Sequence, residues 1–267
     1  MIRQPAVAGS FYPGDARGLN RELDHLLPAD IVPQPAKAII VPHAGYIYSG
    51  AVAGEVIAAT EIPRTVVLIG PNHQGAGRDV AVTGAQSWAT PLGEVPIAAA
   101  LREMMCAQIP QLAVDDRAHQ NEHSLEVMLP FLQRRQPDLQ ILPISLRALS
   151  YQDAVQLGCN IAAVLNQVAA DVLLLASSDM NHFLDADTTE QLDFMAISAM
   201  TELNPQALYR TVVENRISMC GVLPAVVAMV AAKELGAGEC KLVRYAHSGQ
   251  VNGDNSRVVG YAALSID

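Results

Sequence analysis

Three histidines each follow a short apolar run, at the point where a buried strand would end. They are His43 after AIIVP, His73 after VVLIGPN and His182 after VLLLASSDMN. Ligands of an open α/β sheet bind beyond the carboxyl ends of its strands, and imidazole is the commonest metal ligand in proteins. Three strands that each bring a histidine to this edge therefore predict one polar site, which is suited to a metal ion.

His43 and His73 have the strongest claim to be metal ligands. A proline precedes each of them within two residues, and a glycine follows closely, at Gly45 and Gly75. Glycine in such a loop lets the backbone approach a ligand. The alternative interpretation is that each histidine is structural or simply exposed. Their joint placement at the ends of two neighbouring strands is what favours function.

Cys220 is a candidate third ligand, because it lies where a helix is predicted to begin. At a helix start the backbone N–H groups and the helix dipole favour a thiolate, which binds soft and borderline metals well. Alternatively, Cys220 is a small buried apolar residue, which is the usual role of a free cysteine.

A carboxylate and a histidine lie close together in the segment Ser177–His182. Asp179 is predicted to orient His182 and to raise its basicity, which suits a general base. Alternatively, the polar residues of this segment only turn the chain and cap the next helix. These two interpretations are compatible with each other.

Glu122 and His123 are predicted to open a helix that runs to about Arg135, with Asn121 as its N-cap and a kink at Pro130. A neutral His123 there is suited to hydrogen-bond a substrate, since a cationic imidazole is disfavoured at this end of a helix. We therefore expect Glu122 and His123 to bind the substrate, and His123 also to take part in catalysis. Glu122 alone is also explained as a partner of the helix dipole.

Apolar runs alternate with helical patterns along the chain, which predicts an α/β fold. Strands are expected at about Lys37–Val41, Thr65–Ile69, Asp79–Thr83, Leu139–Leu146, Val172–Ala176, Lys241–His247 and Arg257–Leu264. The last two are predicted to pair in antiparallel fashion around a turn at Asn252–Asn255. Residues 1–267 are predicted to form a single domain, a three-layer α/β/α sandwich around a mixed central sheet.

The composition favours a cytoplasmic protein. The formal net charge of −10 disfavours nucleic acid and anionic membranes as partners. We expect no signal peptide and no membrane span, since no leader pattern and no long apolar run are present. The four cysteines are widely spaced and are expected to be reduced thiols. Neither a phosphate-binding loop nor a serine-hydrolase elbow occurs.

Six motifs in order along the chain together resemble the MEMO family, in particular the bacterial and archaeal members called AmmeMemoRadiSam system protein B. These motifs are PAVAGSFYP (5–13), VPHAGY (41–46), GPNH (70–73), NEHSLE (121–126), SSDMNH (177–182) and CG (220–221). The MEMO family is similar in fold to the class III extradiol ring-cleavage dioxygenases. The resemblance therefore implies an extradiol-dioxygenase-like fold over nearly the whole chain.

The resemblance also implies a role for each site residue. In those dioxygenases two histidines and one carboxylate hold Fe(II), and a further histidine acts as acid and base. Matched by motif, the implied site residues are the ligands His43 and His73, Cys220 in place of the carboxylate, the base His182, Asp179 beside the base, and His123 on the substrate side. Fe(II) is the first expected metal, while two histidines and one thiolate also suit Zn or Cu.

Three functions remain open from the sequence. The first is a metal-dependent, dioxygenase-like redox enzyme acting on an unidentified small molecule. The family context implies radical SAM and AMMECR-type proteins as its partners in a shared pathway. The second is a non-catalytic module that binds phosphotyrosine peptides or proteins, since eukaryotic MEMO proteins are associated with receptor-tyrosine-kinase signalling. No arginine cluster lies near the motifs to favour it. The third is a Zn-dependent hydrolase with His182 as base.

Overall fold

A mixed β-sheet forms the centre of the molecule, and the computed structural model describes all 267 residues. The strands are β1 (Ile2–Arg3), β2 (Ala38–Val41), β3 (Thr65–Pro71), β4 (Val80–Val82), β5 (Ser87–Thr90), β6 (Gly93–Pro96), β7 (Ala113–Val114), β8 (Gln140–Leu146), β9 (Val172–Ser177), β10 (His182–Leu184), β11 (Cys240–His247) and β12 (Val258–Ile266). The main sheet has the order β10-β12-β2-β9-β3-β8-β4-β7, and β11 also pairs with β12. Strands β2, β9, β3 and β8 are parallel, while β12 and β4 run antiparallel to them.

Helices cover both faces of this sheet. They are α1 (Ala16–Leu26), α2 (Tyr46–Ala59), α3 (Ala99–Gln108), α4 (Leu129–Arg135), α5 (Tyr151–Leu165), α6 (Ala186–Thr201), α7 (Pro205–Glu214), α8 (Val222–Glu234) and α9 (Gly249–Asn252). Helix α8 packs on β2, β3 and β9 and against α5, whereas α2 packs on β2, β11 and β12 beside α1 and α4. The predicted α/β/α sandwich with a mixed sheet is confirmed.

The central strands are continuous apolar runs because both of their faces are covered. All four residues of β2 are buried, as are Val66–Pro71 of β3 and Leu173–Ser177 of β9. A parallel sheet covered by helices requires this pattern. Helix α8 is likewise apolar all round and buried along most of its length, as expected of a helix inside the core. None of the helices is both long and apolar enough to cross a membrane.

The order of the strands places the candidate residues together. Strands β2, β9 and β3 are parallel neighbours, so their carboxyl ends lie at the same edge of the sheet. The loops that leave this edge carry His43 after β2, His73 after β3 and Asp179 after β9. His182 lies further along, because it begins β10 and pairs with Val259 of β12.

The predicted helix from Glu122 is wrong. The chain turns at Asn121–Leu125, passes through a short 3₁₀ segment, and becomes α-helical only at Leu129. The carboxylate of Glu122 accepts backbone N–H groups of His73 in a neighbouring loop and of Ser124 in its own segment, which holds Glu122 in a turn. Pro130 lies in the first turn of α4 and does not kink it, since the N–H that proline lacks has no helical partner there.

Two further boundaries differ from the sequence-based expectation. The segment around Trp88 forms a hairpin of β5 and β6, although no strand was predicted there, and α3 begins only at Ala99. The antiparallel pair β11–β12 is confirmed, although the connection between them contains α9, which ends at Gly253 in the left-handed conformation.

An ion pair and hydrogen bonds connect the first residues of the chain to the segment that carries His123. Arg3 forms a buried ion pair with Glu126 at 2.7 Å and donates to the backbone carbonyl oxygens of His119 and Glu122. The Glu126 carboxylate also accepts the hydroxyl of Tyr12 at 2.7 Å. Because each buried charge has a partner, breaking this pair leaves the other charge uncompensated, which is strongly destabilising.

His119 is expected to make the fold sensitive to acid. Its imidazole is buried beside Trp88, with Nε2 3.2 Å from the carbonyl oxygen of Ala81 and no partner for Nδ1. Burial lowers the pKa of His119 to about 4. The unfolded chain therefore binds a proton more readily, and between pH 6.5 and pH 4 this residue lowers the free energy of unfolding by up to about 3 kcal/mol.

The measurement is urea unfolding of the wild type and His119→Gln at pH 7 and pH 4.5. The variant is expected to lose less stability on acidification than the wild type. Equal losses in the two proteins would show that His119 does not carry this acid dependence.

Candidate metal centre

Three histidines form a compact group at the carboxyl edge of the sheet. The potential ligand atoms of His43, His73 and His123 all lie within 4.8 Å of one another. The ring centroids of His43 and His73 are 5.2 Å apart, and that of His123 lies 5.4 Å from the first and 4.7 Å from the second. The fold therefore places three imidazoles close enough together to hold one metal ion.

Hydrogen bonds fix the tautomer of His43, which is 2% exposed. Its Nδ1 lies 2.6 Å from the hydroxyl oxygen of Ser177, and that hydroxyl donates to the carbonyl oxygen of Ser124 at 2.7 Å. A hydroxyl has only one proton, so Ser177 must accept from His43. The proton of the neutral ring is therefore on Nδ1, and Nε2 presents its lone pair to the group.

The other two histidines are held by Glu122. Nδ1 of His73 donates to a Glu122 oxygen at 2.9 Å, and Nδ1 of His123 lies 3.4 Å from the same oxygen. Phe11 packs against the ring of His123, with the centroids 4.8 Å apart. In both histidines the Nε2 atom is left without a partner in the protein.

This donor set fits a transition metal. Each Nδ1 faces an oxygen, which is how metal-binding histidines are normally oriented. Burial lowers the pKa of His43 well below its ordinary value and also lowers that of His123. Both rings are therefore neutral near pH 7, and neutral imidazole is the form that binds a metal.

Cys220 lies beside this group. Its Sγ is 3.3 Å from Nε2 of His43 and accepts the backbone N–H of Asp179 at 3.3 Å. The residue precedes α8, since Gly221 is the N-cap. Burial raises the pKa of the thiol, so the expected thiolate at a helix start is not the form that the protein alone favours. The third imidazole of the compact group comes from His123, which was predicted to act on the substrate and not as a metal ligand.

His182 is oriented by Ser218. The backbone N–H of His182 donates to the Ser218 hydroxyl at 2.8 Å, and Nδ1 lies 2.9 Å from the Ser218 carbonyl oxygen. A carbonyl only accepts, so Nδ1 of a neutral His182 carries the proton and Nε2 is free. Burial lowers the pKa of His182. A neutral imidazole with a free Nε2 is able to accept a proton.

Asp179 does not orient His182, contrary to the prediction. Its carboxylate accepts the backbone N–H of His43 at 2.7 Å and thereby joins the loops after β9 and β2. Burial raises the pKa of Asp179 to about 7, although backbone hydrogen bonds from His43 and Ala44 act to lower it. The orienting group of His182 is the Ser218 carbonyl.

A buried network stands behind His182. Asp193 of α6 accepts the backbone N–H of Asn181 at 2.8 Å and the hydroxyl of Tyr245 at 2.9 Å. The side-chain oxygen of Asn181 in turn accepts the N–H and hydroxyl of Ser218. Burial raises the pKa of Asp193 to about 7. Helix α6 thereby fixes the loop that carries His182.

Sequence reasoning missed the residues that orient the histidines. Four residues form hydrogen bonds with a histidine or with the loop that carries it: Ser177, Asn181, Asp193 and Ser218. Only the first two lie in one of the six motifs of the sequence analysis. Asp193 is on α6, which mixes polar and apolar residues, and it is fully buried there. A carboxylate at a core-facing helical position was the signal available for it.

Fold and site together define a class of protein: a three-layer α/β protein with a histidine cluster, suited to one metal ion, at the carboxyl edge of its sheet. A solved structure of the uncharacterized protein JW3007 from Escherichia coli K12 has a similar fold. Its TM-score is 0.60 at 13% identity, and the match covers 86% of this chain and 99% of that one.

Sequence comparison gives the family. The profile of the family described as Memo-like protein matches residues 3–265. A MEMO1 family protein from Aquifex aeolicus is 45% identical, with 98% of each chain covered, and one from Methanothermobacter thermautotrophicus is 37% identical, with 99% of this chain and 100% of the other covered. One from Ignicoccus hospitalis is 41% identical over 100% of this chain and 99% of its own. The chain belongs to the Memo-like family.

Proposed function

We propose that this protein is a metal-dependent redox enzyme that acts on a small molecule, with Fe(II) as its metal. The observation that carries the proposal is the convergence of His43, His73 and His123, whose potential ligand atoms lie within 4.8 Å of one another while their Nδ1 atoms face oxygens. Preference for iron over Zn or Cu comes from the resemblance to extradiol dioxygenases, in which histidines hold Fe(II).

Four side chains are candidates to hold the metal. His43 and His73 are common to both possible donor sets. The resemblance supplies Cys220 as the third donor, whereas the spacing of the rings favours His123. Bound Fe(II) with open positions would supply activation of O₂ and transfer of electrons to or from a substrate.

His182 is proposed as the base of the reaction. Its free Nε2 is able to take a proton from a substrate group, and the Ser218 carbonyl 2.9 Å from Nδ1 would stabilise the imidazolium that forms. Phe11, which packs against His123, would form one wall of the substrate space. The catalytic role of Asp179 stays a prediction, since its contact is with the backbone of His43.

Metal analysis of protein purified without an affinity tag, under anaerobic and iron-replete conditions, tests the proposal. Bound iron together with O₂ uptake on catechols would support it. Tight Zn without redox activity would favour the hydrolase, with His182 as base. Protein without any metal would contradict the proposal and favour a binding module.

The identity of the third donor is tested by comparing His123→Ala with Cys220→Ser. If His123 is the donor, His123→Ala is expected to weaken Co(II) binding by more than about 100-fold, beyond the usual effect of an orienting residue. Cys220→Ser should then change affinity little. The charge-transfer absorption of a Co(II)–thiolate bond in the wild type, lost in Cys220→Ser, would instead assign the position to Cys220.

A further inference from the structure

A single buried carboxylate, that of Glu122, stands behind two of the three histidines. One of its oxygens accepts Nδ1–H of His73 at 2.9 Å and lies 3.4 Å from Nδ1 of His123. The same oxygen accepts the backbone N–H groups of His123 and Ser124, at 3.1 and 3.0 Å. The other oxygen accepts the backbone N–H of His73 at 2.6 Å. One side chain therefore fixes both rings and both of their backbones.

These contacts leave the carboxylate no room to bind a substrate. Its side chain is 2% exposed, and both oxygens are occupied by donors from the protein. One oxygen accepts from the ring of His73 and from the backbone N–H groups of His123 and Ser124, and the other accepts the backbone N–H of His73. The sequence-based expectation that Glu122 contacts the substrate is therefore not the role that its geometry favours.

No cationic side chain compensates this buried charge. The nearby guanidinium of Arg3 forms an ion pair with the Glu126 carboxylate at 2.7 Å. It contacts Glu122 only through the main-chain carbonyl oxygen and not through the carboxylate. A buried charge is costly unless it is paired or coordinates a metal. A divalent cation held by His73 and His123 would lie just across the two rings and would supply the missing positive charge.

We propose that Glu122 is a positioning residue that holds His73 and His123 as one unit, with both Nε2 atoms directed at a shared divalent cation. The proposal rests on the metal-binding function proposed above. In this proposal Glu122 is not itself a ligand but orients the two ligands His73 and His123.

Metal affinity is the first test. Titration of the metal-free protein with Co(II), followed by its visible absorption, is expected to give a dissociation constant about 10- to 100-fold higher for Glu122→Gln than for the wild type. The matched control is Asp116→Asn, because that carboxylate likewise accepts one side-chain and one backbone hydrogen bond but lies in a different cluster, with Thr83 and Gly84. The control is expected to bind Co(II) like the wild type.

The tautomer of His73 is the second test and needs no metal. In ¹⁵N spectra of the metal-free wild type, His73 is expected to carry its proton on Nδ1, and in Glu122→Gln it is expected to show a mixture of tautomers. His43 should stay unchanged in both, since Ser177 fixes it. A general loss of structure would disturb His43 as well, so this readout separates orientation from folding.

Three results would overturn the proposal. They are an unchanged Co(II) affinity in Glu122→Gln, an equal loss in Asp116→Asn, and a wild-type His73 with its proton on Nε2. The tautomer measurement uses only the wild type, so it tests the proposal even if Glu122→Gln does not fold. Wild-type protein that binds no Co(II), but has His73 protonated on Nδ1, would contradict the proposed function and leave the orienting role of Glu122 intact.

Discussion

Replacement of His43 by alanine is expected to weaken binding of Co(II) by more than about 100-fold, which exceeds the typical loss for a residue that only orients a ligand. His43 is common to both candidate donor sets and is the most buried of the three histidines. The substitution would also remove the hydrogen bond that the Ser177 hydroxyl now accepts from Nδ1 of His43. Metal content and a Co(II) titration measure the effect.

The matched control for His43→Ala is His25→Ala, because His25 is exposed on α1, away from the sheet edge. That variant is expected to bind Co(II) with wild-type affinity. Circular dichroism spectra of both variants show whether the fold is retained. A folded His43→Ala protein that keeps wild-type affinity would show that the metal, if any, binds elsewhere.

Replacement of Gly260 by alanine is expected to lower the free energy of unfolding by about 3 kcal/mol, at the upper end of the cost of overpacking. A methyl group at this position of β12 would overlap the carboxylate of Asp193. That carboxylate cannot move away cheaply, because it would leave the N–H of Asn181 and the hydroxyl of Tyr245 buried without a partner.

Urea unfolding of Gly260→Ala measures this effect, and Gly238→Ala is its control. No atom lies within 4 Å of the place where the methyl group of the control would be, so we expect a change in stability of less than about 0.5 kcal/mol. Similar losses in the two variants would mean that contact with Asp193 is not the cause. A wild-type stability for Gly260→Ala would mean that the network behind His182 is adaptable.

The fold could be predicted from the sequence because its signals are local. Short apolar runs bounded by turn residues, such as Ala38–Val41 and Val172–Ala176, are typical of buried strands, and their alternation with helices defines the class. The boundary at Glu122 could not be predicted in the same way. An asparagine followed by a glutamate suggests the start of a helix, and the contacts that hold Glu122 in a turn come from His73, 49 residues away.

The site was predictable in its position but only partly in its composition. His43 and His73 could be assigned to one sheet edge because each directly follows a parallel strand. His123 joins them through the turn before α4, which depends on tertiary contacts with the first residues of the chain. Asp179 was paired with His182 because the two are close in sequence, whereas the loop directs the carboxylate back to His43.

The hydrogen bonds around His43 and His73 have a consequence for the order of folding and metal binding. Ser177 and Glu122 are buried parts of the folded core, so they orient the two rings as soon as the chain has folded. Small zinc domains differ, since metal binding supplies their folding free energy. Here the apolar sheet supplies the folding free energy, so binding of a metal would be a later and separate step. The supply of metal, rather than the synthesis of the chain, would then decide when the site begins to work.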